Sequence, residues 1–251
     1  MNLIVVDGRT DIEKLFELLQ AGGECDELDF KETLDFSKKI DELDFVKDAV
    51  SMFNRYPGGY IVVGVDDNGG PSQISADTNW SQFDGAMLTD KIRKYVDAPL
   101  TAISQVHEID GHTYCLMCFR SPEDGLPAPF SKLGQAPDEK GRQRVVFREG
   151  EFSRRDGAQN RPIEYPQWPE ILKQHDHLVR KLESNRINTL VDKIVSVLGD
   201  RGKTPPLVPG MSDEALIGAL TSCNESGESG KLIHFTNQVS SALGTDDAAL
   251  D

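Results

Sequence analysis

The chain has 251 residues with 38% hydrophobic and 7% aromatic content, and its 27 Lys and Arg against 42 Asp and Glu give a formal net charge of −15. This composition is typical of a globular protein that needs no disulfide bonds to bury its core. The acidic balance argues against a protein that coats nucleic acid through bulk positive charge. Because the sequence shows neither an apolar run of about 20 residues nor a signal-peptide pattern, we expect a cytoplasmic protein with no membrane contact.

Two stretches of the chain carry opposite local charge. Residues 140–161 hold seven basic side chains against three acidic ones, whereas residues 24–48 hold ten acidic side chains against four lysines. Together they fit a site with a metal-attracting end and a phosphate-attracting end. Ordinary solvated surface explains the same charges equally well, so charge alone leaves both interpretations open.

The first elements follow from capping and periodicity. Thr10 and Glu13 have the spacing of a capping box ahead of a short helix. Residues 28–32 (LDFKE) alternate apolar and charged side chains, which is the period of a half-buried strand. That period places Asp29 and Lys31 on the same face.

The same reasoning predicts the remaining elements of a mixed α/β domain. They are a helix over 37–55, a central strand over 60–65, a helix over 83–96, a hairpin of strands 103–109 and 113–119, a Pro/Gly loop over 121–141 and a short strand over 144–148. The last strand carries part of the basic stretch.

The composition becomes helical beyond residues 164–169, and this change predicts a domain boundary between 1–165 and 166–251. A long amphipathic segment covers residues 178–198, and two short helices are predicted near 212–223 and 230–243. The acidic tail after Gly244 is predicted to be disordered.

Glu24, Asp29, Lys31 and Asp67 form the strongest chemical pattern in the sequence. Three carboxylates and a lysine are typical of metal nucleases, because Mg²⁺ and Mn²⁺ prefer carboxylate oxygens and a positive group stabilises the charge on the phosphorus centre. An acid two residues before a lysine also occurs by chance in any charged chain. On the residues alone, a solvated strand face is the more frequent explanation.

The segments ECDELDFKE, SMFNRYPGGYIVVGVDDNG and RVVFREGEFSRRDG resemble, in this order, the Schlafen-type AlbA-like domain family over roughly residues 20–165. By this resemblance Glu24 stands at the family's first acid, Asp29 at the second with Lys31 following, and Asp67 at the aspartate after the glycine-ended strand. Two positions depart from the pattern. Asp29 replaces the usual glutamate, and Arg55 stands where an asparagine is expected before the double glycine.

The resemblance implies an α+β fold, in which an AlbA-like mixed sheet with flanking helices precedes a small all-helical C-terminal region. It implies that Glu24, Asp29 and Asp67 bind Mg²⁺ or Mn²⁺ and that Lys31 assists them in cleaving nucleic acid. The substrate would be a tRNA-like RNA or DNA, and the biological role would be prokaryotic defence. Family nucleases join two related lobes into a groove. Because this sequence contains one such lobe, we expect a homodimer or a hetero-complex that completes the groove. The complex would form through the AlbA-like domain or the helical tail.

Two alternatives stay open at this point. One is a non-catalytic regulatory module that binds DNA or RNA, and the other is a protein-interaction subunit of a larger complex. Four arginines of the basic stretch are the candidates for phosphate contact, and in the binding module they alone would contact it. Surface ion pairs with nearby acids are their ordinary explanation. These arginines are Arg144, Arg148, Arg154 and Arg155.

Two further motifs predict no chemistry. Gly230-Lys231 lacks both the earlier glycine and the following Ser or Thr of a phosphate-binding loop, so we expect no nucleotide cofactor. Cys115 and Cys118 lie three apart in a predicted strand and therefore point to opposite faces. We predict that both thiols are buried in the core.

Overall fold

The computed structural model describes residues 4–66, 70–72, 78–138 and 140–198, with side chains up to residue 193. Within this part the fold is α+β, as predicted, and the chain divides into two compact units after Leu178. Asp67, the two predicted helices near 212–223 and 230–243, and the tail after Gly244 lie outside the described residues.

Four α-helices, eight strands and two 3₁₀ helices make up the described elements. In chain order they are α1 (Ile12–Leu19), β1 (Leu28–Lys31), α2 (Lys39–Phe53), β2 (Gly58–Val63), a 3₁₀ helix (Trp80–Phe83), α3 (Gly85–Arg93), β3 (Ile103–Ile109), β4 (His112–Arg120), β5 (Gly134–Pro137), β6 (Gln143–Phe147), β7 (Ser153–Asp156), β8 (Gln159–Pro162), a second 3₁₀ helix (Tyr165–Gln167) and α4 (Trp168–Leu198). No helix in these ranges is long and apolar enough to cross a membrane.

A four-stranded sheet in the order β1-β2-β4-β3 forms the centre of the first unit. Strand β1 runs parallel to β2, and β2 pairs antiparallel with β4. Every residue of β2 is buried, because its alternate side chains enter two separate apolar clusters. Ile61 and Val63 join the cluster that includes α2 and α3, and Tyr60 and Val62 join the cluster that includes α1. The predicted central strand is therefore confirmed.

The double glycine allows β2 to begin in close contact with its neighbours. Gly58 has a φ of +112°, and a Cβ on it would lie 2.2 Å from the carbonyl oxygen of Phe119. A Cβ on Gly59 would lie 2.4 Å from the sulfur of Met52. Gly58 therefore requires glycine, because its backbone conformation and the nearby carbonyl oxygen both exclude a side chain. A side chain at Gly59 would require the Met52 side chain to move.

Three local predictions need correction. The N-cap of α1 is Asp11 rather than Thr10, because the Asp11 side chain accepts the hydrogen bond from the Lys14 backbone amide. The stretch predicted as a loop contains β5, which pairs antiparallel with β6. The hairpin of β7 and β8 is missing from the sequence prediction, because its polar residues lack the β-branched pattern of a strand.

The predicted hairpin of β3 and β4 is confirmed, with both Asp110 and Gly111 at positive φ in the turn. Cys115 and Cys118 on β4 are buried in different apolar clusters, as their spacing predicts. Burial raises the pKa of Cys115 to about 12 and that of Cys118 to about 11, so both thiols are protonated at neutral pH.

Candidate functional site

The β7–β8 hairpin has two faces of different chemical character. Arg154 on β7 is register partner to Arg161 on β8, and Arg155 is register partner to Asn160. Successive side chains on a strand point to opposite faces. The Arg155–Asn160 pair lies on the inner face, which packs against β1 and α2, and the Arg154–Arg161 pair lies on the outer face.

Arg155 binds the acidic residues at the start of the sheet. Its Nη2 atom lies 2.7 Å from Oδ1 of Asp29 and 3.5 Å from Oε2 of Glu24. The side chains of Arg155 and Asp29 are each only 2% exposed. A buried guanidinium needs a carboxylate partner to offset its loss of hydration, and Asp29 provides it.

Lys31 connects β1 to α2. Its Nζ lies 2.9 Å from Oδ2 of Asp29 and 3.0 Å from Oδ2 of Asp48, which is buried on α2. The other carboxylate oxygen of Asp48 accepts a hydrogen bond from Nδ2 of Asn160. These contacts join β1, α2 and the β7–β8 hairpin. We use the name acidic clasp for the six residues Glu24, Asp29, Lys31, Asp48, Arg155 and Asn160.

Further contacts fix the hairpin from its two ends. The Ser153 hydroxyl lies 2.7 Å from the Ser51 hydroxyl of α2, and Nδ2 of Asn54 donates to the Ser153 carbonyl at 2.8 Å. At the turn, Asp26 accepts from the Gly157 amide and forms an ion pair with Arg55. Arg55 therefore has a structural role here.

Burial and mutual charge shape the ionisation of the acidic clasp. Burial raises the pKa of Glu24, and the neighbouring Asp29 carboxylate adds to this increase. Burial raises the pKa of Asp48 to about 6, with Lys31 and Asn160 opposing the shift and Asp29 reinforcing it. Burial opposes the charge on Lys31, but the Asp48 and Asp29 carboxylates outweigh it and raise the pKa of this lysine. Lys31 therefore stays charged across the physiological range.

The structure brings Glu24, Asp29 and Lys31 together, but with Arg155 in place their arrangement does not fit a divalent cation. Both oxygens of Asp29 are in ion pairs, one with Arg155 and one with Lys31. Oε1 of Glu24 accepts from the Phe30 amide at 3.0 Å. Within the described residues no three side chains are grouped to hold a metal, and Asp67 lies outside them.

The predicted phosphate-contacting arginines have different surroundings. Arg144 is exposed and makes a bidentate ion pair with Asp44 of α2, with both distances 3.1 Å. Arg148 is exposed and Arg154 half-buried, and neither guanidinium has a carboxylate partner among the residues that the structure describes. Arg155 is buried in the acidic clasp. Its guanidinium is therefore withdrawn from the surface.

Sequence reasoning missed Asp48, Asn160 and the pairing of Arg154 with Arg161. The alternation of a strand would have separated Arg154 from Arg155, had β7 been predicted. No pattern in the sequence links Asp48 or Asn160 to the acidic strand, because their contacts depend on how α2 and β8 pack.

Comparison with known proteins gives one family match. A family model described as Schlafen, AlbA_2 matches residues 24–164, more than half of the chain. A search of curated proteins gives no match. Among solved structures, the crystal structure of the DIP2311 protein from Corynebacterium diphtheriae is similar at 17% identity and a TM-score of 0.41, over 64% of this chain and 27% of that one. The match thus spans about a quarter of that protein's length.

Proposed function

The chain belongs to the Schlafen, AlbA_2 family, and on that premise we propose that it binds nucleic acid through the outer face of the β7–β8 hairpin. Arg154 and Arg161 are the central phosphate-contacting residues of this proposal, and the exposed Arg148 lies just before the hairpin in the chain. Guanidinium groups suit this task because their planar donors match two phosphate oxygens at once.

The opposition of Arg154 and Arg161 on one face of the hairpin is the observation that carries the proposal. Like charges directly opposite each other destabilise a strand pair by a few tenths of a kcal/mol. A shared anion between the two guanidinium groups would turn this repulsion into attraction. Phosphate is the anion that the family membership supports.

The ion pair that Arg161 already makes does not prevent this binding. Its Nη1 lies 3.4 Å from Oδ2 of Asp156, and the two side chains are 60% and 51% exposed. Exposed ion pairs of this kind contribute about 0–1 kcal/mol. A phosphate that meets Arg154 and Arg161 together can displace Asp156.

The net charge of −15 sets the conditions of binding. The rest of the chain repels a polyanion over a Debye length of about 10 Å at 0.1 M salt, so the attraction must come from a local basic surface. We expect moderate affinity that weakens as salt increases.

The test is fluorescence anisotropy with labelled single- and double-stranded RNA and DNA of mixed sequence, in EDTA. We expect the double variant Arg154→Ala/Arg161→Ala to bind about tenfold or more weakly than the natural chain. Arg93→Ala is the matched control, since Arg93 is exposed at the end of α3, which packs near β3 at the opposite edge of the sheet from β1. Equal affinity of the double variant and the control would refute the proposal.

Metal-dependent hydrolysis by Glu24, Asp29 and Asp67 with the help of Lys31 is the catalytic alternative that the resemblance implies. The same oligonucleotides, incubated with Mn²⁺ or Mg²⁺ and separated on a gel, distinguish it, because a nuclease shortens them and a binding module leaves them intact. The defence role and the association with a second copy or another protein likewise stay predictions.

A further inference from the structure

We infer that the Arg155 guanidinium is the resident cation of the Glu24–Asp29 pair and holds the position that a divalent metal ion would otherwise take. The same contact makes Arg155 a positioning residue for the outer face of the hairpin. The positioning role of Arg155 rests on the proposed function, whereas its role as the resident cation does not.

A single nitrogen atom stands between the two acids. Nη2 of Arg155 is 2.7 Å from the Asp29 carboxylate and 3.5 Å from the Glu24 carboxylate. Two carboxylate oxygens that converge on one cationic atom form the kind of ligand pair that Mg²⁺ or Mn²⁺ would bind at shorter distances. A metal ion and the guanidinium therefore exclude each other at this point.

The guanidinium is held there by its surroundings. Both Arg155 and Asp29 are almost fully buried, and the second oxygen of Asp29 is already paired with Lys31 at 2.9 Å. Expelling Arg155 to admit a metal ion would leave its charge without a partner inside the protein. Because an unpaired buried charge is strongly unfavourable, the stable state is the one in which the Arg155 guanidinium lies between the two carboxylates.

The inward position of Arg155 determines where its neighbour points. Since β7 alternates, anchoring Arg155 to Asp29 turns Arg154 to the outer face. On the partner strand, the hydrogen bond from Asn160 to Asp48 turns Arg161 outward in the same way. The acidic clasp thus turns Arg154 and Arg161, which are register partners, to the same outer face of the hairpin.

The experiment measures Mn²⁺ binding to the full chain by electron paramagnetic resonance. The acidic surface binds some Mn²⁺ by itself, so the informative quantity is the part of the binding that a Glu24→Gln substitution removes. We compare the natural chain and Glu24→Gln, then Arg155→Met and Arg155→Met/Glu24→Gln. Arg154→Met is the matched control, because it removes the adjacent arginine without opening the acid pair.

We expect the natural chain, Arg154→Met and Glu24→Gln to bind equal amounts of Mn²⁺. Arg155→Met should gain about one Mn²⁺ per chain, and the additional Glu24→Gln substitution should remove it. A purely structural role for Arg155 would lower stability without creating this binding. Folding of each variant is checked by circular dichroism.

Two results would overturn the inference: Mn²⁺ binding by the natural chain that Glu24→Gln abolishes, or a folded Arg155→Met variant that gains no Mn²⁺. If Arg155→Met does not fold, the comparison of the natural chain with Glu24→Gln still decides the first point. Arg155→Lys, which keeps a cation, should then fold and gain no Mn²⁺, and a gain in that variant would also count against the inference. None of these readings depends on oligonucleotide binding, so the proposed function can fail separately.

Discussion

Arg155 of β7 and Asp29 of β1 are 126 positions apart in the chain, yet Nη2 of the arginine lies 2.7 Å from Oδ1 of the aspartate. This contact joins the hairpin to the edge strand of the sheet within a buried environment. It explains how adjacent arginines acquire different roles, with Arg155 inside and Arg154 outside. The proposed binding surface therefore depends on an ion pair that faces away from it.

Loss of the Arg155 guanidinium should destabilise the chain. We predict that Arg155→Met lowers the free energy of unfolding by about 3–5 kcal/mol, because it leaves the buried Asp29 carboxylate without its main partner. Arg154→Met, which changes the neighbouring half-buried residue, should cost only about 0.5 kcal/mol. Urea denaturation followed by circular dichroism measures both. Similar losses for the two variants would contradict the assignment of inner and outer faces.

Asp48 should titrate near pH 6. Its folded-state pKa of about 6 lies above the ordinary value of 3.8, so the folded chain holds a proton that the unfolded chain releases between these two pH values. The contribution of Asp48 to stability is therefore complete below about pH 4 and is lost as the pH rises to about 6.

The ¹³C chemical shift of the Asp48 carboxyl carbon measures this titration directly, with an expected midpoint of about pH 6. Asp48→Asn identifies the resonance, and it should also remove the pH-dependent loss of stability described above. A midpoint close to the ordinary aspartate value would mean that Asp48 is more hydrated than the structure shows.

Two glycines with positive φ provide a matched test of packing. An alanine at Gly111 would have a φ of +77° but no heavy atom within 4 Å of its Cβ, whereas one at Gly58 would lie 2.2 Å from the Phe119 carbonyl oxygen. We predict a loss of about 1 kcal/mol for Gly111→Ala, from backbone conformation alone. Gly58→Ala should cost about 3 kcal/mol or more, because the clash adds to the same penalty. Thermal unfolding compares them, and equal losses would place β2 further from β4 than described.

The sequence predicts those parts of the fold in which local pattern and burial agree. The apolar run of β2 and the Asp110-Gly111 turn are strong local patterns, and the structure confirms both. Strand β7 could not be predicted in this way, because its inner positions are filled by Ser153 and Arg155 rather than by apolar side chains. A strand that packs through polar contacts has no hydrophobic period to detect.

The same limit applies to the candidate site. The alternation of LDFKE correctly predicts that Asp29 and Lys31 share a face. Lys31 forms ion pairs with both Asp29 and Asp48. The partners themselves come from α2 and β8, which tertiary packing alone brings close. A sequence that places two arginines side by side cannot say which one the protein buries.

The salt dependence of nucleic-acid binding tests the central claim most directly. The measurement is the affinity for one short duplex across a series of salt concentrations, for the natural chain and for Arg154→Ala/Arg161→Ala. If these two arginines neutralise phosphates, the slope of log affinity against log salt should be shallower in the double variant by about 2. Identical slopes for the two proteins would contradict the claim that the outer face of the β7–β8 hairpin contacts phosphate.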